Sequence, residues 1–216
     1  MDRTIIRLGA CHVEQATATL VAAFMDDPAM CWMFPDPAVR ARRLPGLMRW
    51  SVIDHLRHGM VLGTAGAEAV TLWRPPGAVH EHAPLTPPML VRFLAMLGTA
   101  VLRAERLDRM ISRHLPAGEA QFYLRMAGVH PLWQGKGLGG LAIRSGLAEA
   151  EAAGLPQVLE TAKEGNVGIY RALGFEVIDT WRVAGNGPLF WTMQREAAPQ
   201  ARASTSSLAP SSTISR

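Results

Sequence analysis

The chain has 216 residues and a formal charge of +4, with hydrophobic residues at 49% and charged residues at 19%. That length and apolar content argue against wholesale disorder and supply enough chain for one well-filled core. Arg202 and Arg216 carry half of the surplus charge in an acid-free stretch beyond residue 196, and the other 20 bases face 18 acids with no clustered stripe, which argues against a nucleic-acid surface.

Residues 3–8 predict a short strand. Over residues 12–25, Val13, Ala16, Leu20, Ala23 and Phe24 recur at helical spacing. Asp26-Asp27-Pro28 ends that helix, because the residue before a proline avoids the helical region. Phe34-Pro35-Asp36-Pro37 reads as a turn into a second helix that runs through Arg57. Residues 60–64 and 69–73 flank a small Ala-Gly-Ala-Glu segment and predict a hairpin, ended by Pro75-Pro76. A loop over 77–88 is rich in Pro and His; its His80-Glu81-His82 group has i,i+2 spacing, which suits solvent exposure better than metal binding. A helix over 88–113 follows, then a strand over 122–129, a helix over 138–153 stopped by Gly154, a strand over 158–161, a short helix over 167–173, and strands over 175–180 and 189–193. Strands alternating with helices predict an α/β (α+β) fold, a single domain over 1–196 with a disordered Ser/Ala-rich tail over 197–216. Cys11 and Cys31 are too few for a disulfide framework. No apolar run reaches the ~20 residues of a membrane span. The N-terminus lacks the pattern of a secretory signal, so the expectation is a cytoplasmic protein with no membrane partner.

The informative stretch is Val129-His130-Pro131-Leu132-Trp133-Gln134-Gly135-Lys136-Gly137-Leu138-Gly139-Gly140. A strand runs into a glycine-rich turn and the turn into a helix. Glycines bring backbone N–H groups close to a ligand, the helix start adds its positive end, and Lys136 adds a charge, so the natural guest is a phosphate or pyrophosphate. A Walker A loop fails, because Gly137 follows Lys136 where Ser or Thr is required. Gly135, Gly137 and Gly140 satisfy the dinucleotide fingerprint, with Glu160 at the position of a ribose-binding acid. Against that reading, His130 to Gln134 separate strand from first glycine, and too little chain follows for the standard dinucleotide sheet.

Gln134-x-x-Gly137-x-Gly139 matches the signature Q/R-x-x-G-x-G/A, and Asn166, Tyr170 and Leu173-Gly174-Phe175 follow in order. Through these motifs the chain resembles the GCN5-related N-acetyltransferase (GNAT) superfamily, in the branch of small-amine acetyltransferases that includes puromycin N-acetyltransferase. The specific likeness lies within residues 120–182. A sparser one covers 22–37, where Ala-Phe precedes Asp27-Pro28. The resemblance implies a mixed central sheet splayed open between the strands over 122–129 and 158–161, with acetyl-CoA entering the splay. It further implies that Ala127, Gly128 and Val129 offer backbone groups to the pantetheine arm and thioester. Gln134, Gly135, Lys136, Gly137, Leu138 and Gly139 would hold the pyrophosphate, and Asn166 would touch the cofactor. Asp27 and Trp32 would border the amine substrate.

Amide formation from a thioester needs a neutral amine, a donor for the oxyanion and an acid for the leaving thiolate. A strand N–H such as that of Val129 would serve the oxyanion. Tyr170 would be the acid, since the reference values of ~10 for tyrosine and ~8.5 for a thiol are close. Glu160, at a strand end, is the first candidate for the base and His130 the second; Asp26 and Asp27 would attract a cationic amine. Each group also fits a plainer role: Tyr170 in the core, Glu160 in solvent, His130 on a backbone partner, Asp27 in a turn and Asn166 as a helix cap. The function expected is acetyl transfer to a primary amine of a small molecule in a ternary complex, by a monomer or homodimer. The alternatives are an acyl-CoA-binding sensor without catalysis and, more remotely, an NAD-type oxidoreductase.

Overall fold

The structure, a computed structural model, describes residues 3–78, 87–116 and 120–197. The His80-Glu81-His82 group and the tail from residue 198 lie outside the described residues. Among the described residues seven strands form one sheet: β1 (Ile5–Arg7), β2 (Met60–Thr64), β3 (Ala69–Arg74), β4 (Phe122–Val129), β5 (Gln157–Thr161), β6 (Glu176–Arg182) and β7 (Leu189–Arg195), in the order β1-β2-β3-β4-β5-β7-β6. Every neighbouring pair is antiparallel except β4 and β5, which run parallel.

The helices are α1 (Val13–Phe24), α2 (Pro28–Met33), α3 (Pro37–His58), α4 (Pro87–Leu97), α5 (Val101–His114), α6 (Leu138–Ala152) and α7 (Glu164–Arg171). Among the described residues no helix is long and apolar enough to cross a membrane. One face of the sheet packs Val70, Leu72, Tyr123 and Val158 against α1, α3 and α5. The other packs Leu62, Trp73, Leu124 and Leu159 against α6 and α7. Helix α6 lies so close to the sheet that a Cβ on Gly146 would sit 2.2 Å from the indole of Trp73.

Two helix boundaries differ from the expectation. Asp27-Pro28 does end α1, but it also starts α2, which the sequence reading lacked. Asp27 Oδ1 accepts from the N–H groups of Ala29 (2.9 Å) and Met30 (3.3 Å), and Pro28 takes the first helical position, where its missing N–H costs nothing. Asp36-Pro37 starts α3 in the same way. The single helix expected over 88–113 is broken into α4 and α5 by a short turn at Gly98–Ala100. Gly98 is left-handed (φ +54°), and the Arg43 guanidinium donates to the carbonyls of Ala95 and Met96, both at 2.7 Å, sealing the end of α4. That partner comes from α3, far away in sequence.

Candidate active site

Strands β4 and β5 pair only at Phe122–Gln157, Tyr123–Val158 and Leu124–Leu159. Beyond Leu124 they have no mutual partners, so the sheet opens into a cleft. A bulge marks the same point: Leu72 of β3 pairs with Met126 and Trp73 with Leu124, leaving Arg125 as the extra residue. A bulge sharpens the local twist and re-aims side chains. The His130 N–H donates to the Glu68 carbonyl on the β3 side (2.9 Å). Strand alternation then turns the N–H groups of Ala127 and Val129 toward the open side and that of Gly128 toward β3. The expectation that Gly128 offers backbone groups to the cleft is therefore corrected. Its contribution is the side chain it lacks, since a Cβ there would lie 2.9 Å from Leu20 and 3.1 Å from Ala23 of α1.

At the outer end of the cleft stands the glycine turn. Gly135 (φ +75°) and Gly137 (φ +77°) both hold left-handed backbone that other residues adopt at a cost. Gln134 Nε2 donates to the Val129 carbonyl (3.1 Å), tying the turn to the strand end. No side chain caps α6, and Leu141 makes the bond to the Gly137 carbonyl (3.2 Å), so the N–H groups before it have no partner within the helix. These N–H groups, from Gly135 to Gly139, suit a pyrophosphate. The Leu138 side chain is buried, which leaves only its backbone to offer. The Lys136 ammonium lies 4.1 Å from the Trp133 ring centroid and 3.3 Å from the Leu132 carbonyl, turned back along its own loop. His130 is used locally: its Nδ1 accepts from the Leu132 N–H (3.4 Å), and it does not line the cavity described next, so it is no longer a candidate base.

At the inner end, a cavity of about 520 Å³ lies between the sheet and helices α2 to α5. Its walls are apolar, with Met30, Met33, Leu107 and Ile111 beside the ring pair Trp50–Phe93 (5.2 Å between centroids). Its floor is charged. Tyr123 Oη donates to Glu160 Oε1 in a short hydrogen bond, and Arg125 Nη1 donates to Tyr123 Oη (2.9 Å). Arg125 also faces Glu160 Oε1 (3.7 Å) and Asp108 of α5 (3.5 Å). Glu160 Oε2 is buried and has no hydrogen-bond partner among the described residues. Burial pushes the Glu160 carboxyl up to about 7, against the pull of Arg125 and the Tyr123 hydroxyl. A carboxyl poised there suits a base working near neutral pH.

The structure brings Asp27, Ala127, Glu160, Asn166 and Tyr170 to this one cavity. Tyr170 packs edge-on against Phe175 (6.1 Å between centroids). Burial raises its pKa most, and the charges of Glu160 and Asp27 add to the rise. The close match to a thiol expected from reference values therefore does not hold, and Tyr170 stays protonated across the working range. Burial also raises Asp27, opposed by the N–H groups of Ala29 and Met30 and by Lys163. Asn166 is not a cap, since Lys163 takes that position; its Nδ2 lies 3.5 Å from Thr161 Oγ1. Trp32 does not line the cavity: α2 turns Ala29, Met30 and Met33 inward, and Trp32 packs on the core. Asp26 is exposed beside Arg40. Sequence reasoning missed Tyr123, Arg125 and Asp108. The signal for the first two was a Tyr-x-Arg pair in the otherwise apolar strand Phe122–Val129.

No protein-family model matches the sequence. Solved structures share the architecture almost end to end. A protein described as histone acetyltransferase HPA2 and related acetyltransferase, from Corynebacterium glutamicum, aligns with a TM-score of 0.70 at 20% identity over 91% of this chain and 98% of its own. Arylalkylamine N-acetyltransferase 2 from Aedes aegypti gives 0.57 at 13% identity, covering 90% and 99%. The polyamine N-acetyltransferase of Drosophila melanogaster, which forms N-acetylagmatine, gives 0.54 at 14%, covering 89% and 99%. The chain has the fold of the GNAT acetyltransferases, with the splayed sheet that the resemblance implied.

Proposed function

We propose that this protein is an acetyl-CoA-dependent N-acetyltransferase acting on a primary amine of a small molecule. One observation carries the reading: the β4 edge left unpaired beyond Leu124 leads from a glycine turn at an uncapped helix start to a cavity lined by the buried Glu160 and Tyr170. A module that only sensed acyl-CoA would need the turn but not a carboxyl tuned to about 7.

The residues divide the work as follows. The N–H groups from Gly135 to Gly139 hold the pyrophosphate, and the β4 edge at Ala127 and Val129 orients the pantetheine arm. Bound acetyl-CoA supplies the acetyl thioester. The N–H of Val129 or Ala127 donates to the thioester oxygen as it gathers charge. Glu160 Oε2 takes the proton from the incoming ammonium, directly or through a water. Once protonated, Glu160 no longer opposes ionisation of Tyr170, so the base and the acid are coupled. Tyr170 Oη then donates to the departing sulfur as the carbon–sulfur bond breaks, and the tyrosinate takes the second proton of the newly acylated nitrogen, leaving the amide, the free thiol and a protonated Glu160. Asp27 favours a cationic amine in the cavity, and the apolar walls exclude bulk water.

The test is thiol release from acetyl-CoA across a panel of primary amines, alongside calorimetry of acetyl-CoA binding. Binding together with amine-dependent thiol release is the expected result. Absence of binding sinks the proposal.

A further inference from the structure

The cavity has a second polar end that the chemistry above does not use. Arg74, the last residue of β3, and Asp54 of α3 form an ion pair with both side chains only 5% exposed. Both line the cavity, as do Ser51 and His55 one helical turn apart on α3. Arg74 Nη2 donates to Asp54 Oδ2, while Arg74 Nη1 is buried with no acceptor among the described residues. A buried donor without an acceptor is costly, and structures retain such groups where something else satisfies them. Arg74 is the cross-strand partner of Tyr123, whose hydroxyl binds Glu160, so this end and the base share one sheet face.

We propose that Arg74 is a specificity-determining residue whose Nη1 receives a neutral oxygen of the amine substrate: a hydroxyl, phenol or carbonyl. The inference rests on the acetyltransferase reading for the position of the amine. Asp54 already neutralises Arg74, so the end offers a hydrogen-bond donor rather than net positive charge. An anionic group would gain a donor and meet the Asp54 carboxylate. Arg74 on β3 is level with Val158 of β5 across two strand spacings, and Glu160 is two residues further along, so the two backbones are roughly 12 Å apart. The substrate is therefore an amine with its nitrogen at Glu160, an apolar body against the Trp50–Phe93 wall, and an oxygen at the far end.

Tyramine and phenethylamine, which differ by that one oxygen, are the probes. Wild-type protein is expected to favour tyramine in kcat/KM by about tenfold or more, the usual size of a hydrogen bond to a charged group. Because R74M alone would strand the Asp54 carboxylate, the variant is R74M/D54L, which removes both charges together and leaves apolar side chains in their place. In it the tyramine KM rises until the two amines are equivalent; the readout is the ratio of the two amines within one protein, in which any general loss of activity cancels. Calorimetry of both amines with the wild-type chain reports the same preference without turnover and does not depend on the variant folding. Equal binding of the two amines, binding of neither, or a preference retained in R74M/D54L overturns the proposal. Tyramine preference in binding without acetylation keeps the subsite and overturns the acetyltransferase reading; acetylation of both without preference does the reverse.

Discussion

Replacing Glu160 by Gln removes the proposed proton acceptor and keeps the shape of the side chain. The Tyr123 hydroxyl keeps an oxygen to donate to, and Arg125 keeps Asp108. A positioned general base is worth about 10²–10⁴ in rate, so kcat with a primary amine should fall by that factor while acetyl-CoA affinity holds. Wild-type kcat should rise as pH increases through about 7, the value to which burial pushes Glu160, and this inflection should be missing in E160Q. The same ionisation appears in stability. With a folded value of about 7 against 4.5 unfolded, the folded state holds its proton longer, so stability is fully present below pH 4.5 and is lost as pH rises through 7. The difference of some 2.5 units corresponds to about 3 kcal/mol, and E160Q, which has nothing to ionise there, should gain on wild type by about that amount between pH 4.5 and 8. Rate against pH, and urea denaturation at the two pH values, measure these effects. An E160Q protein with wild-type turnover and an unmoved inflection refutes the base assignment. Stability curves that stay parallel across the range refute the buried ionisation.

Tyr170→Phe should lower kcat by about 100-fold and leave the Kd for acetyl-CoA unchanged, because the proposed role of the hydroxyl is on the departing sulfur and the ring keeps its edge contact with Phe175; equal turnover would mean that the thiolate leaves unaided or takes its proton elsewhere. Gly137→Ala puts a Cβ on left-handed backbone at φ +77°, costing about 1–2 kcal/mol, and calorimetry should show acetyl-CoA binding weakened by about tenfold. An unchanged Kd would move the pyrophosphate off this turn. Gly146→Ala drives a Cβ into the Trp73 indole, so urea denaturation should show a loss of about 1–3 kcal/mol without any change in the cleft chemistry.

Much of the molecule was legible because its signals are local. A strand running into Gln134-x-x-Gly137-x-Gly139 and then an apolar-periodic helix can hardly fold otherwise: φ values of +75° and +77° need glycine, and the uncapped helix start follows from the same residues. The hairpin of β2 and β3 was equally plain, as was the stop that Pro28 imposes on α1. Tyr170 was singled out by the motif order that the resemblance supplied and Glu160 by its place at a strand end; that both line one cavity is a matter of packing.

What the sequence alone could not decide was which groups meet. Tyr123 and Glu160 are 37 residues apart, and only the parallel pairing of β4 with β5 and its early end bring them into one hydrogen bond. The bulge that places Arg125 in the same network is a mismatch between two strands, which neither strand encodes by itself. Arg43 splits the helix expected over 88–113 from 52 residues upstream, and the rotation of α2 decides that Met30, not Trp32, faces the cavity. Backbone conformation at a glycine or a proline is fixed by the residue and its neighbours. Burial, and with it the value of about 7 at Glu160, exists only once distant elements have packed, because desolvation is a property of the assembled interior.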